Sequence, residues 1–305
     1  MNVTTRTRTE RFGLQVFADF LELTKPRIGT FVLIAAFVGA LLAQGPGAAT
    51  LLALEAAVFV TLVGAGSSVF NHVLEEDLDR LMERTRHRPL AARRLSKAAA
   101  VTFGCALTLA GVAGLATQFN VLSALLALGS LVAYALVYTP LKRATSLNTV
   151  IGAIPGAMPP LLGYVAIAGS PETWGWTLFA ILFAWQFPHF MAIAWLHRDD
   201  YRRAGMQMLP ALPDAQGLAG RQALAYGLVL FVISLLPVLR GDAGLVYGAG
   251  AFLLGLVYTG ASAWFAHRET PKRARAVLYA SLVYLPLTFS LVLMDPVVHR
   301  ALGPS

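Results

Sequence analysis

The chain has 305 residues, of which 57% are hydrophobic and only 13% are charged. Because a soluble domain carries about 25% charged residues, this composition excludes an ordinary water-soluble globular protein and predicts the lipid bilayer as the main surroundings. A net charge of +8 is also typical of nucleic-acid-binding proteins. The basic residues stand in short loops beside long apolar segments, however, so we expect no nucleic-acid partner.

Nine segments are apolar over about the length that a membrane-spanning helix needs. In chain order they cover residues 28–44, 50–71, 98–117, 120–138, 147–168, 174–196, 222–239, 244–266 and 275–294. We therefore predict an all-α, polytopic membrane protein with nine transmembrane helices. No linker divides the chain, so residues 1–305 are predicted to form one domain in which residues 1–22 are a cytoplasmic tail.

Lysine and arginine are distributed unevenly between the two sides that this count defines. If the N-terminus is inside, 22 of the 24 lie in the tail or near inner loops, and only Arg240 and Arg300 lie outside. By the positive-inside rule, this predicts a cytoplasmic N-terminus and a periplasmic C-terminus in a bacterial inner membrane. The single cysteine, Cys105, excludes a disulfide framework.

The first candidate site lies where the second segment meets the inner side. Asn71, Glu75 and Asp79 follow one another at intervals of four residues, which places them on one face of a helix. Such a row of oxygen donors suits Mg²⁺, which usually shares its ligands with phosphate. A solvated helix end with locally paired carboxylates is the alternative. Arg84 and Arg88 follow directly and favour a metal–diphosphate site, because arginine matches the geometry of phosphate oxygens.

A second motif, Tyr138-Thr-Pro-Leu-Lys-Arg143, lies at the inner end of the fourth segment. Pro140 is expected to stop the helix and to leave Lys142 and Arg143 at the membrane face. These two cations could hold diphosphate oxygens. Taken alone, the motif is better explained as a positive-inside anchor.

A third motif surrounds the inner end of the sixth segment and contains His189, Asp199, Asp200 and Tyr201. A histidine inside a membrane segment is a functional candidate, although it can also simply bond to a neighbouring carbonyl. Asp199 and Asp200 could bind a second Mg²⁺, or they could neutralise the adjacent arginines. In the fifth segment, the prolines between residues 154 and 160 are expected to break or kink the helix.

Together these motifs resemble the UbiA superfamily of intramembrane prenyltransferases, and within it the branch that acts on haem. The resemblance is carried by Leu23-Thr-Lys-Pro-Arg27, Asn71–Asp79, Glu83-Arg-Thr-x-x-Arg-Pro-Leu90, Tyr138–Arg143, Trp185-Gln-x-Pro-His-Phe190 and Asp199-Asp-Tyr-x-x-Ala-Gly-x-x-Met-Leu-Pro210. Three features depart from the usual pattern: Glu75 replaces an aspartate, Gln207 replaces a frequent proline, and the second aspartate motif is incomplete.

The resemblance implies nine helices around a central cavity and transfer of the farnesyl group of farnesyl diphosphate to the 2-vinyl group of haem b, with addition of water, giving haem O. It implies that Asn71, Glu75 and Asp79 hold Mg²⁺. It further implies that Arg84, Arg88, Lys142 and Arg143 stabilise the leaving diphosphate, and that Lys25, Arg27, Tyr138, His189, Asp199, Asp200 and Tyr201 contact substrates.

Three alternatives remain open. The first is a related prenyltransferase that acts on a quinone or chlorophyll precursor and uses the same diphosphate site. The second is a transporter, which the position of the acidic residues at the inner face disfavours. The third is a structural scaffold. Possible partners of the expected enzyme are haem A synthase and assembly proteins of a terminal oxidase.

Overall fold

The computed structural model describes residues 8–45, 50–295 and 297–298. Arg6, Arg300 and the side chains of Arg8 and Arg11 therefore lie outside the described residues, as do residues 1–7 of the predicted tail and 46–49 of the first outer loop. The described part contains helices and their connections, and it has no strand. The all-α prediction is thus confirmed.

Nine helices in the described part are long and apolar enough to cross a membrane, as predicted. In chain order, and called spans one to nine below, they are Pro26–Gln44, Thr50–Leu74, Lys97–Phe119, Val121–Leu141, Asn148–Ala168, Thr173–Leu196, Leu218–Leu239, Leu245–His267 and Pro271–Met294.

Two spans begin four residues earlier than their apolar segments. Span seven begins at Leu218, directly after Gly217, whose φ of 78° lies in the left-handed region. Span nine begins at Pro271, a residue whose fixed φ suits the first helical turn. The Thr270 hydroxyl caps that turn by accepting from the Arg273 backbone N–H at 3.4 Å. Both helices therefore begin before the apolar segments that were predicted to lie in the hydrocarbon core of the bilayer.

Of the break or kink expected in span five, the break is absent, because the helix runs unbroken through Pro155, Pro159 and Pro160. A proline leaves the carbonyl four residues before it without its helical donor. For Pro159 that carbonyl belongs to Pro155, and it accepts from the Ser130 hydroxyl of span four at 3.5 Å. Neighbouring helices can supply such donors inside a membrane, which makes the prolines tolerable.

Spans one and five lie close together through small residues. A Cβ atom on Gly39 would lie 1.9 Å from the carbonyl oxygen of Pro160, and one on Gly163 would lie 1.9 Å from that of Ala36. Close packing through glycine is typical of membrane helices. The backbone of span five is thereby held tightly against that of span one.

Part of the predicted tail is a helix, Arg8–Leu23, which precedes span one. Its buried Asp19 accepts from Arg94 at 3.0 Å, and Phe20 packs edge-on against Phe103 of span three. No apolar segment long enough to span the membrane lies here, so this amphipathic helix was not predicted. Through these contacts the helix packs against the inner loop after span two and against span three.

The two long inner loops pack against each other and cover one end of the bundle. Each contains a short helix, Glu76–Leu81 in the first and Arg198–Arg203 in the second. Their apolar side chains form one buried cluster with the end of span six, made up of Leu78, Met82, Ala194, Ala204, Met206, Met208 and Ala211. The backbone N–H of Gln207 also donates to the Lys142 carbonyl at 2.6 Å. The loops after spans two, four and six are therefore joined.

Candidate active site

Asn71, Glu75 and Asp79 share one helical face, as their spacing predicts. Span two ends at Leu74 and the short helix begins at Glu76, yet the hydrogen bonds of a helix continue across the junction. The N–H of Glu75 donates to the Asn71 carbonyl at 3.0 Å, and that of Asp79 donates to the Glu75 carbonyl at 2.8 Å. The three side chains, called the oxygen rail below, are all buried.

The oxygen rail lines a cavity of about 240 Å³ at the lysine- and arginine-rich end of the bundle. Spans one, two, four, five and six contribute to its wall, together with both long inner loops. The predicted site residues that it brings together are Lys25, Asn71, Glu75, Asp79, Arg84, Arg88, Tyr138, Lys142 and Tyr201. The remaining wall consists of Ile28, Met82, Thr149, Gly152, Phe190, Ile193, Ala194, Met206 and Met208.

Each member of the oxygen rail is paired with one cation. Lys25 Nζ donates to Asn71 Oδ1 at 2.6 Å, Lys142 Nζ donates to Glu75 Oε1 at 2.7 Å, and Arg88 Nη1 donates to both oxygens of Asp79 at 2.8 Å. These cations come from three distant parts of the chain. A buried carboxylate needs such a partner, because an unpaired buried charge is strongly destabilising.

Glu75 and Lys142 stabilise each other as charged groups. Burial alone would raise the pKa of the Glu75 carboxyl, but the charge and hydrogen bond of Lys142 outweigh it and hold the pKa below its ordinary value. Burial alone would lower the pKa of Lys142, but Tyr138 and Glu75 raise it above its ordinary value. The Lys142 ammonium also lies 4.6 Å from the centre of the Tyr138 ring.

Lys25 and Asp79 respond mainly to burial. Burial, reinforced by the like charge of Arg88, lowers the pKa of Lys25 to about 7. Burial also raises the pKa of the Asp79 carboxyl, although the neighbouring Arg88 opposes that shift. Lys25 itself adopts the left-handed conformation, with φ at 51°, immediately before Pro26 begins span one. The turn directs its side chain back toward the oxygen rail.

Two buried threonines support the oxygen rail, and neither was singled out from the sequence. Thr139 Oγ1 accepts from Asn71 Nδ2 at 3.2 Å and donates to the Tyr134 carbonyl at 2.9 Å. Thr85 Oγ1 donates to the Asp79 carbonyl at 3.1 Å. Both stand inside motifs that carry the family resemblance, Tyr138–Arg143 and Glu83–Leu90, and that position was the signal that could have indicated them.

The expected stop at Pro140 is displaced by one residue, because the helix ends at Leu141. The six residues before Thr139, Ala133–Tyr138, form a π-helical segment with a wider turn. Such segments are rare and occur frequently at functional sites. Here the segment presents Tyr138 to the cavity and Thr139 to Asn71.

The donor set of the oxygen rail fits a hard divalent cation. It consists of one amide oxygen and two carboxylates, and oxygen ligands of this kind suit Mg²⁺. Among the described residues no group of three or more His, Cys, Asp or Glu side chains could hold a metal. The site therefore supplies only part of an octahedral set, and a diphosphate and water can supply the rest.

The structure keeps Asp199 and Asp200 out of this cavity wall. Asp199 is 64% exposed and pairs with Arg202 at 3.0 Å, and Asp200 pairs with Arg203. This arrangement matches the alternative in which the two aspartates neutralise neighbouring arginines. The second metal site stays a prediction, and the geometry gives it no support.

Three other predicted residues also lie away from the cavity wall. His189 faces span nine, where its Nδ1 lies 2.7 Å from Ser281 Oγ and its ring stacks on Trp185 at 4.7 Å. Arg27 and Arg143 are exposed. Their roles toward the substrates stay predictions.

The fold and the site define a helical membrane protein with a polar, cation-rich cavity at one end of its bundle. Residues 32–285 match the UbiA prenyltransferase family, and the chain therefore belongs to that family. A relative, the protoheme IX farnesyltransferase of Solibacter usitatus (strain Ellin6076), is 43% identical over 287 residues, covering 91% of this chain and 98% of the relative.

Solved structures show the same fold. A structure of digeranylgeranylglyceryl phosphate synthase superposes with a TM-score of 0.76 at 17% identity, covering 94% of this chain and 99% of that one. A UbiA homologue from Archaeoglobus fulgidus, bound to GPP and Mg²⁺, gives a TM-score of 0.63 at 18% identity, covering 90% of this chain and 100% of that one. The predicted UbiA-type architecture is thus confirmed.

Proposed function

We propose that this chain transfers the farnesyl group of farnesyl diphosphate to the 2-vinyl group of haem b. The observation that carries the proposal is the buried oxygen rail with one cation on each member, inside a single cavity. It suits a metal-bound diphosphate, and the A. fulgidus homologue is described as binding GPP and Mg²⁺. The choice of haem b as acceptor is supported by the name of the S. usitatus relative.

In this proposal Asn71, Glu75 and Asp79 hold Mg²⁺, which when bound neutralises negative charge on the diphosphate. Lys25, Lys142 and Arg88 now pair with the oxygen rail and lie within the same cavity as Arg84. When the diphosphate enters, these cations exchange rail oxygens for phosphate oxygens. Positive charge fixed in advance around the leaving group is usually the largest contribution to such catalysis.

The farnesyl chain of the substrate can occupy an apolar part of the same cavity. Ile28, Phe190 and Ile193 line it, and the ring of Tyr138 packs against Tyr134 with 5.3 Å between centres. Aromatic ring faces attract cations, so Tyr138 would favour an allylic cation formed when the diphosphate leaves. Attack by the vinyl group of haem b and capture of the resulting cation by water would give the hydroxyethylfarnesyl side chain of haem O.

Reconstitution tests the function directly. The purified protein in lipid nanodiscs is incubated with haem b, farnesyl diphosphate and Mg²⁺, and the porphyrins are identified by mass. We expect haem O, and we expect its formation to stop when EDTA removes the metal. Prenylation of a quinone precursor offered in parallel, without any haem product, would refute the choice of acceptor and leave the prenyltransferase assignment intact.

Replacing Gly152 by alanine is expected to raise KM for farnesyl diphosphate about tenfold, by analogy with the cost of overpacking a filled site. A Cβ atom there would lie 2.5 Å from the Tyr138 ring and would push that ring into the cavity. Steady-state kinetics at saturating haem b measures the change. Gly129→Ala in span four, where a Cβ would meet no atom within 4 Å, is the control. Equal KM values for both variants would contradict the prediction.

The orientation in the membrane and the downstream partners belong to the same proposal. The distribution of lysine and arginine supports a cytoplasmic cavity, an N-terminus inside and a C-terminus outside in a bacterial inner membrane. Haem O leaves such an enzyme as a membrane-bound product. Haem A synthase or an oxidase assembly protein would then be the receiving partner.

A further inference from the structure

A second cavity, of about 490 Å³, lies at the same end of the bundle but outside the active site. It is formed by the ends of spans six and eight, by the connection before span nine, and by the loop that contains the short 3₁₀ helix Leu209–Ala211 and leads to span seven. No member of the oxygen rail lines it. The short helix Arg198–Arg203 stands between the two cavities, because its Tyr201 lines the first and its Arg198 and Arg202 line the second.

Glu269 fixes the shape of this second cavity. Its Oε2 accepts from Trp195 Nε1 at 3.0 Å and from the Gly217 N–H at 3.2 Å, and its Oε1 accepts from the Gly220 N–H at 2.8 Å. One carboxylate thereby joins span six, the start of span seven and the connection before span nine. Among the described residues that line this cavity, Glu269 is the acidic one, and its oxygens already accept three hydrogen bonds.

Three arginines face the same cavity and retain unused donors. The Arg198 guanidinium lies 4.2 Å from the Trp195 ring and donates one hydrogen bond, to the Trp195 carbonyl at 2.8 Å. Arg202 donates to the Ala211 carbonyl at 3.3 Å and to Asp199 at 3.0 Å. Arg268 is exposed at the cavity edge. Since each guanidinium has five N–H donors, several remain available for an anion.

The surroundings indicate which anion fits. Pro210, Leu212 and Ala266 give the cavity apolar walls, and it opens where the membrane spans end. Arginine matches phosphate oxygens in pairs, and tryptophan is enriched at the level of lipid headgroups. Basic pockets between membrane helices on the cytoplasmic side bind anionic headgroups. A second diphosphate substrate fits poorly, because no row of oxygen donors is present here to hold a metal with it.

We propose that this cavity binds the phosphate of an anionic phospholipid, such as cardiolipin or phosphatidylglycerol, through Arg198, Arg202 and Arg268. A lipid held there connects the ends of spans six and eight with the loop before span seven and leaves the prenyl-transfer cavity free. The proposal is independent of the acceptor that the enzyme uses.

Native mass spectrometry of the full-length protein, released from nanodiscs with and without cardiolipin, tests the proposal. We expect the wild-type protein to retain cardiolipin, and Arg198→Gln/Arg268→Gln to retain roughly tenfold less, because two of the three arginines that face the headgroup are lost. Arg86→Gln/Arg275→Gln removes the same charge from exposed positions outside the cavity and should retain as much as the wild type.

The remaining outcomes overturn the proposal. Equal loss in the two double variants would mean that only net charge attracts the lipid. Unchanged retention in the cavity variant would place the lipid elsewhere. Displacement of cardiolipin by inorganic phosphate would identify an ion site instead of a lipid site. If Arg198→Gln/Arg268→Gln does not fold, Arg198→Lys/Arg268→Lys keeps the charge but lacks the paired donors, and it should still bind cardiolipin more weakly than the wild type.

Discussion

Replacing Asp79 by asparagine is expected to lower kcat for haem O formation by roughly a hundredfold or more, since charge stabilisation by a bound metal contributes several kcal/mol. The substitution keeps the size of the side chain and removes its negative charge. It also leaves the Arg88 guanidinium without the carboxylate that both its short hydrogen bonds reach. The loss of the carboxylate weakens the hold on Mg²⁺, so the Mg²⁺ concentration needed for half-maximal activity should rise as well.

Asp77 provides a matched control two residues away. Its side chain is 85% exposed and pairs with Arg80 at 3.3 Å, outside the cavity wall. Asp77→Asn makes the same chemical change on the same short helix, and its kinetics should remain within about twofold of the wild type, as is usual for exposed ion pairs. Circular dichroism and a thermal melt in detergent would show whether Asp79→Asn is folded. Near-normal turnover in a folded Asp79→Asn protein would refute the assignment of the metal site.

The oxygen rail was predictable from the sequence because it depends on one local property. A helix brings residues four apart onto one face, and Asn71, Glu75 and Asp79 keep that spacing although span two ends between the first two. Which cations pair with the oxygen rail became visible only in the folded structure. Lys25 lies 46 positions before Asn71, and Lys142 lies 67 positions after Glu75. Their predicted roles came from the family resemblance, because local spacing does not reveal which distant cation pairs with which acid.

The predicted site residues that do not line the cavity also show the limits of reasoning from local sequence. Asp199 and Asp200 stand next to arginines in the sequence, and short-range pairing within a six-residue helix satisfies them where they are. Arg143 is adjacent to Lys142, yet only Lys142 lines the cavity, because neighbouring positions at a helix end point in different directions. The span boundaries likewise moved where caps, rather than hydrophobicity, decide where a helix begins.

Under the proposed function, we expect the metal and the diphosphate to depend on each other at this site. Lys25, Lys142 and Arg88 already neutralise much of the rail, so a divalent cation alone must compete with three fixed cations. A diphosphate gives those cations new partners and frees the rail oxygens. Correct orientation of the uncharged member, Asn71, then matters as much as the two carboxylates, because its amide can present either an oxygen or a nitrogen.

Thr139 is expected to set that orientation. Its hydroxyl hydrogen goes to the Tyr134 carbonyl, so Oγ1 can only accept from Asn71 Nδ2. Asn71 Oδ1 is thereby turned toward Lys25, which has donors only and requires an acceptor. In Thr139→Val the amide loses this partner and can rotate. We expect about a 10–100-fold loss of Mg²⁺ affinity, the usual effect of removing a group that orients a metal ligand.

Thr139→Ser is the matched control, because it keeps the hydroxyl and removes only a methyl group. Direct binding of Mn²⁺, followed by electron paramagnetic resonance in the presence of farnesyl diphosphate, separates metal affinity from turnover. We expect the serine variant to bind the metal almost as the wild type does and the valine variant to bind it weakly. If the serine variant, which keeps the hydroxyl, loses as much binding as the valine variant, the hydroxyl would not account for the loss, and the orienting role of Thr139 would be refuted. A weak metal site in the valine variant alone would identify the hydroxyl as the group that holds the amide oxygen toward the cation.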